Sequence, residues 1–456
     1  MTGFHPQSLA AIAHKKLSRT KVGSPGIKIL TVLIETLYLA TLKTEEGVPL
    51  QLRIVWENGV NPDPNPPQIL RPPRWTAVPF GKRMPFNVAN ISKLSRAADP
   101  WTSWVGVFGK SVNDIEIWGM YDQTVHYNTA LVRESEGGWD PPGSFQIAAN
   151  GVADVAIYYE SALIARLSRD HIVDRENDVF TRGPIYRALL PAIMHPKSAI
   201  ISTLGKQAFE PAKMWETFLS DSFTGTLCRI LISIQRYRHG GAVLITSKRT
   251  GLDIKYGIQY DRLPKFLDGL ADASVKHWLI QEFQELKYDL QDAKDIPLKV
   301  SKEVWHQWFR IDDFTEGITG AVKFVSALAN VDGLVLLRPD LKVVGFGVEI
   351  RTKKDPTQVY VSTAPEPTKS SLSRISPKHF GMRHRSMMRY CFANAGSLGF
   401  VISQDGDIRA MTRVGQRLVM WNDVKVQQRS EAEFPVAGKK TKHPNASKIQ
   451  KLLPGV

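Results

Sequence analysis

The feature that most constrains this chain is a set of short runs with no polar face. "GFVIS" (399–403), "GGAVLITSK" (240–248) and "DGLVLL" (332–337) each hold several apolar residues in succession. Successive strand residues point to opposite faces, so such strands are buried on both sides and need helices above and below them. The sequence between them supplies those helices. Apolar residues at 214, 215, 218, 219, 223, 227, 230, 231 and 234 keep helical spacing. So do Ile318, Ala321, Val322, Val325, Leu328 and Ala329, and later Met387, Met388, Cys391, Phe392 and Ala395. "KVVGFGVEI" (342–350) pairs with "DGLVLL" across the turn "RPD". Residues 205–430 are therefore expected to form an α/β domain, a mixed β-sheet flanked by helices.

Upstream the period changes. "WVGVFGKSVNDIEIWGMYDQ" (104–123) and "SFQIAANGVADVAIYYESALIARL" (144–167) alternate with period two and are broken by Gly and Asn/Asp, the pattern of antiparallel hairpins. This predicts a β-rich N-terminal domain over 44–190, with a possible regulatory role. Residues 59–76 hold six prolines and read as a stiff connector. Residues 1–43 read as a basic segment followed by a buried helix or strand, "ILTVLIETLYLATL" (29–42). That run has 14 residues and contains Glu35, too short and too polar to span a bilayer. With no cleavage site after it, the expectation is a cytoplasmic protein with no membrane partner. Residues 262–300 look like a polar helical insertion. Residues 351–378, rich in Ser, Thr, Pro and Lys, read as a long mobile loop.

The net charge of +15 is concentrated at the ends. Five Lys or Arg and no acid precede Glu35, and five Lys and no acid occupy the basic tail 436–456, leaving +5 for the body between. Weak polyanion binding through the termini is the expected consequence, not sequence reading. The two cysteines, Cys228 and Cys391, fall in apolar helical patterns and read as buried thiols.

Three motif matches fail on inspection. "FGKS" (108–111) ends like a phosphate loop, but Trp104 stands where its first glycine belongs. "GFGVEI" (345–350) lacks the third glycine of a dinucleotide fingerprint and continues as a strand. His379 and His384 straddle a loop–helix junction with no third ligand nearby in sequence.

One constellation holds. Asp332 and Gly333 open a buried strand, Arg383, His384 and Arg385 occupy the first turn of a helix, and Ser403, Gln404 and Asp405 follow the next strand. Guanidiniums at a helix N-terminus grip polyphosphate bidentately, and Asp332 and Asp405 are hard oxygen ligands for a divalent cation. Cations in a first turn oppose the helix dipole, so they need a compensating anion.

These stretches resemble the diadenylate cyclase domain family, which carries a DGA motif, then GTRHR, then a strand ending in a Ser-Glu-Glu-like turn. The matching residues are "DGL" (332–334), "GMRHRS" (381–386) and "SQDG" (403–406), with "YRHGGAVLIT" (237–246) and "KYGIQYD" (255–261) upstream. The whole chain is similar to bacterial proteins carrying a probable sensor domain associated with diadenylate cyclases, of the DACNV type. The resemblance implies condensation of two ATP into cyclic di-AMP with release of pyrophosphate, in a homodimer or higher oligomer, with magnesium or manganese. It implies Asp332 and Asp405 as catalytic residues and Asp332, His384 and Asp405 as metal ligands. Gly333, Leu334, Arg383, His384, Arg385, Ser386 and Ser403 would bind the nucleotide. The chain departs from the family at Met382 (Thr in the family), Leu334 (Ala), Val331 (His) and Gln404 (an acid). Two functions stay open: a diadenylate cyclase, or a non-catalytic sensor of ATP or a cyclic dinucleotide using the same pocket.

Overall fold

The computed structural model describes residues 5–18, 24–45, 48–57, 75–123, 126–134, 145–159, 162–169, 171–196, 211–287, 298–404 and 406–428. The prolines of the expected connector up to Pro73, the basic C-terminal tail and Asp405 lie outside them. The chain divides into two compact units, Met1–Glu176 and Asn177–Gln427, with Gln428 rejoining the first.

The first unit contains α1 (Pro6–Leu17), α2 (Ile27–Thr41), β1 (Thr44–Glu45), β2 (Val48–Pro49), β3 (Leu52–Glu57), β4 (Trp75–Pro85), α3 (Val88–Leu94), β5 (Ser103–Phe108) and β6 (Glu116–Gln123). It continues with α4 (His126–Leu131), β7 (Phe145–Gly151), β8 (Asp154–Tyr159), β9 (Ala162–Ser168) and β10 (His171–Val173). Among the described residues these strands make an eight-stranded sheet, ordered β10-β9-β8-β7-β3-β5-β6-β4, and a small β1-β2 ribbon. All neighbours in the large sheet are antiparallel except β3 and β5.

The run 29–42 is a helix, α2, because its apolar residues repeat every three to four positions. Leu30, Leu33, Ile34 and Leu37 share a core with Leu9 and Leu17 of α1 and with Ile54, Val105, Ile147, Ile157 and Leu167 of the sheet. The boundary drawn at residue 43 therefore does not separate packing units. That drawn at 190 falls inside α5 (Gly183–Ile193), which belongs to the second unit. The discarded "FGKS" match is part of the β5–β6 turn, where the Lys110 and Ser111 amides both donate to the Asp114 carboxylate.

After α5 the second unit contains α6 (Pro211–Arg236), β11 (Gly241–Ile245), β12 (Leu252–Tyr260), α7 (Arg262–Lys287), α8 (Leu298–Ala327), β13 (Leu334–Leu337) and β14 (Val343–Ile350). Then come β15 (Val359–Ser362), β16 (Leu372–Ile375), α9 (Met382–Ala393), β17 (Leu398–Ile402), β18 (Ile408–Val414) and β19 (Arg417–Trp421). Its nine described strands form one mixed sheet, ordered β12-β14-β13-β11-β17-β18-β19-β15-β16, with parallel pairs β11/β13 and β15/β19. The architecture is α/β, as the alternation of periods requires.

Every residue of β11, β13 and β17 is buried. On one face Ala242, Leu244, Leu334, Leu336 and Val401 pack with Met387, Met388 and Cys391 of α9. On the other, Gly241 leaves room for Ile234 of α6, whose methyl carbon would lie 2.6 Å from a Cβ at that glycine. Both cysteines are buried free thiols.

Residues 351–378 are not the mobile loop their composition suggests. They contain β15 and β16, and β15 extends the sheet beyond β19. Polar groups there serve the backbone: the Thr368 and Ser371 side chains form a reciprocal capping box, and the Ser362 hydroxyl donates to the Ala364 carbonyl. Composition hid the strands because the hydroxyls satisfy turns instead of facing solvent. Among the described residues no helix is long and apolar enough to cross a membrane.

Candidate functional site

Strand register brings the singled-out segments to one end of the second sheet. Gly241 at the start of β11 lies opposite Ile402 at the end of β17. Val243 is level with Val335 in the parallel β11/β13 pair, so two residues earlier Gly241 is level with Gly333. Ile402 in turn faces Ile408, which puts the start of β18 at the same end. The entries of β11, β13 and β18 and the exit of β17 thus form one rim. Asp332 and Ser403 belong to strands two positions apart in the sheet, about 10 Å at the usual strand spacing.

The N-terminus of α9 comes down onto this rim. A Cβ at Gly240 would stand 2.8 Å from Nη1 of Arg383, 2.9 Å from the Ile402 carbonyl oxygen and 3.0 Å from the Gln404 nitrogen. Gly240 has φ +65°, so the position needs a glycine on two counts: backbone conformation and the closeness of the Ile402 carbonyl oxygen and the Gln404 nitrogen. The first turn of α9 has no side-chain cap and no acidic residue, and Gly381 is its N-cap. Met382 is 85% exposed. Arg383 is exposed, while His384, Arg385 and Ser386 are half-buried.

Arg385 and Arg389 share one anion. The Arg389 Nε donates to Asp355 over 2.6 Å, and the Arg385 guanidinium lies 4.0 Å from the other carboxylate oxygen. The hydrogen bond from Arg389 holds the Asp355 carboxyl below the usual carboxylate range, and the charges of Arg389 and Arg385 add to it.

His384 meets a residue that sequence reasoning passed over. Arg409, on β18, has Nη1 3.0 Å from His384 Nε2. A guanidinium only donates, so Nε2 accepts and the ring hydrogen sits on Nδ1. Arg409 Nε donates to Asn422 Oδ1 over 3.2 Å, and Nη2 lies 3.8 Å from the Asp407 carboxylate. Phe380 flanks the group, 5.7 Å from the His384 ring and 5.8 Å from the Arg409 guanidinium carbon. Burial, then the charges of Arg409 and Arg383, pull the His384 pKa down to about 4. His384 is thus a neutral ring buttressing a cation. Arg409 was legible only as one arginine in "IRAMTR"; nothing local in sequence links it to a residue 25 positions earlier.

The turn after β17 is closed tightly. Ser403 Oγ accepts from the Asp407 amide over 2.9 Å, and the Ser403 amide donates to the Asp407 carbonyl over 2.9 Å. Gly406 donates its amide to the Ser403 carbonyl over 3.0 Å, and Gln235 of α6 donates to the Gly406 carbonyl. The Ser403 hydroxyl hydrogen is left to donate elsewhere.

Asp332 is exposed and Leu334 is buried at the head of β13. Gly333, at φ +115°, lies against the backbone of Gly347 in β14. Beside this corner the rings of Tyr256 and Phe346 stack across β12 and β14, 4.8 Å apart, with Tyr256 41% exposed. This pair, unremarked in the sequence beyond "KYGIQYD", offers a flat apolar surface next to the Asp332–Gly333 corner.

Among the described residues no three His, Cys, Asp or Glu side chains cluster as a metal site. Asp332 suits a divalent cation that takes one or two carboxylates and completes its shell with phosphate oxygens and water. His384 has its lone pair directed at Arg409, an arrangement unlike that of a ligand.

Residues 19–122 match the family described as "Probable sensor domain DACNV". The match lies wholly within the first unit and runs from before α2 to β6. No curated protein matches the chain, and no solved structure does.

Proposed function

We propose that the second unit is a nucleotide-binding module of diadenylate cyclase type that condenses two ATP into cyclic di-AMP, with the DACNV-type domain as its sensor. The observation that carries this is the rim itself. Asp332–Gly333, the Arg383 guanidinium on Gly240 and the Ser403 turn belong to distant segments, yet register and α9 packing bring them to one sheet end.

In this reading Arg383 and Arg385 hold phosphate oxygens, which add to the partial neutralisation that Asp355 gives the turn. The Ser403 hydroxyl, whose hydrogen is left to donate, and Ser386 add neutral contacts. Asp332 accepts a hydrogen bond from the ribose 3′-hydroxyl and orients it. The 3′-oxygen gives its proton to the Asp332 carboxylate as it bonds to the α-phosphorus of the facing ATP, the bond from the α-phosphorus to the bridging oxygen breaks, and pyrophosphate leaves with the electron pair. Two copies must face each other, because each ATP is attacked by the other's ribose. Bound magnesium or manganese, held by Asp332 and Asp405, would neutralise charge on the triphosphate. Arg409 is withheld from substrate by His384, Asn422 and Asp407, and serves to fix the His384 ring. The Tyr256–Phe346 stack suits a nucleobase face.

A second reading is binding without turnover. It is favoured by Met382, which is 85% exposed where the resembling family carries a threonine hydroxyl.

The deciding experiment incubates the full chain with ATP and manganese and identifies products by mass spectrometry, beside Asp332→Ala. A cyclic dinucleotide that disappears in the variant supports the cyclase. No product, together with ATP-dependent thermal stabilisation abolished by Arg383→Ala, supports the sensor. Neither product nor stabilisation would sink both.

A further inference from the structure

Helix α8 carries an outward stripe that the nucleotide site does not use. Leu298, Lys302, Trp305, Phe309, Asp312, Glu316, Gly320 and Lys323 follow one another at spacings of three or four residues, and every one is exposed. The inner face of α8 is fully engaged: Phe314 lies against Gly269 of α7, Arg310 pairs with Asp272 at 3.2 Å, and Ile318, Val322 and Val325 are buried. The outer face is aromatic. Trp305 is 59% exposed, Phe309 56%, Trp308 45% and Leu298 68%. The rings of Trp305, Trp308 and Phe309 contact one another, with centroids 5.4–6.3 Å apart. An apolar surface of this kind on a polar helix marks a docking site.

We infer that this stripe is an interface between two copies of the chain, paired antiparallel about a two-fold axis through Phe309. The stripe is self-complementary about that residue, which is what an isologous contact requires. Seven residues before Phe309 stands Lys302, and seven after it stands Glu316. Neither has an ion-pair partner within its own chain among the described residues. In the antiparallel pair each Lys302 meets the other copy's Glu316. Eleven residues before Phe309 is Leu298 and eleven after is Gly320, whose missing side chain opens onto empty space with nothing within 4 Å. The most exposed apolar side chain of the stripe therefore meets its notch. Trp305 falls opposite the Asp312–Asp313 pair, which accepts from an indole N–H. Parallel pairing would instead set Lys302 on Lys302 and Glu316 on Glu316, a repulsive register.

The size is adequate. From Leu298 to Gly320 the helix runs about 33 Å at 1.5 Å per residue. Its exposed aromatic and aliphatic side chains with the flanking stems present about 600 Å² per copy, near the roughly 800 Å² per partner of a standard interface. This contact lies on the α7–α8 hairpin and does not rest on the nucleotide reading.

The test is sedimentation of the full chain between about 1 and 100 μM. The expected result is an association step that Phe309→Asp weakens at least tenfold. Lys302→Glu and Glu316→Lys should each weaken it, and the double exchange K302E/E316K should restore it, because only a contact between those two residues is repaired by swapping both. All three positions are exposed, and unchanged thermal unfolding will show that the fold is intact. Phe309→Cys should cross-link to itself under mild oxidation and Lys323→Cys, distant from the axis, should not. A chain monomeric throughout that range overturns the inference. So does a dimer indifferent to Phe309→Asp, or a monomer that instead sediments with anionic phospholipid vesicles through Trp305.

Discussion

Gly333 and Gly347 meet backbone to backbone: a Cβ on Gly333 would stand 2.6 Å from the Gly347 carbonyl carbon and 2.8 Å from its Cα. Both have positive φ, +115° and +61°, and the same corner holds the Asp332 carbonyl oxygen 3.5 Å from the Cβ site of Gly347. The glycine after Asp332 is thus a packing requirement of the β13–β14 hairpin as well as part of a functional motif. The failed fingerprint "GFGVEI" owes its second glycine to the same contact.

Gly333→Ala should destabilise the second unit. Backbone strain alone costs about 1–3 kcal/mol, and the clash with Gly347 adds to it. Urea unfolding should show the loss even without nucleotide. An unchanged midpoint would mean that β14 moves aside freely, and the corner would no longer fix Asp332.

His384 gives a pH dependence of known sign. Unfolded, its imidazole takes a proton near 6.5; folded, it resists until about 4. Between those values the unfolded chain binds more protons, so stability falls as pH drops through the window and is intact above it. Allowing for partial exposure, the loss should be about 1–2 kcal/mol by pH 5. Comparing unfolding at pH 7.5 and pH 5 for the chain and for His384→Gln isolates it. Equal losses in both would assign the effect to other groups.

Asp355 neutralises part of the cationic turn. Asp355→Asn should leave Arg385 and Arg389 freer to bind phosphate and raise triphosphate affinity about 2–5-fold at low salt, with the gain fading as salt rises. Titration calorimetry with ATP at two ionic strengths reads this directly. A fall in affinity would show that Asp355 positions the arginines more than it competes for them.

Much was legible along the chain because periodicity is local. Every residue of "GFVIS" through Ile402 is buried, as a strand without a polar face must be, and α6 and α9 fall where the 3.6-residue spacing set them. The segments of the candidate site were legible too: Asp332–Gly333 before a buried strand, Arg383 to Arg385 in a first turn, Ser403 after a strand end. The hairpin strands β15 and β16 were not, since serine and threonine look the same in sequence whether they face water or close a turn. Nor was Arg409, whose partners His384, Asn422 and Asp407 come from separate elements. Local spacing by itself determined the buried strands and the amphipathic helices of the second unit, and which candidate residues stand at their ends. Only the tertiary structure decided which ends meet, because strand order and register are fixed by burial and hydrogen bonding between segments far apart in the chain.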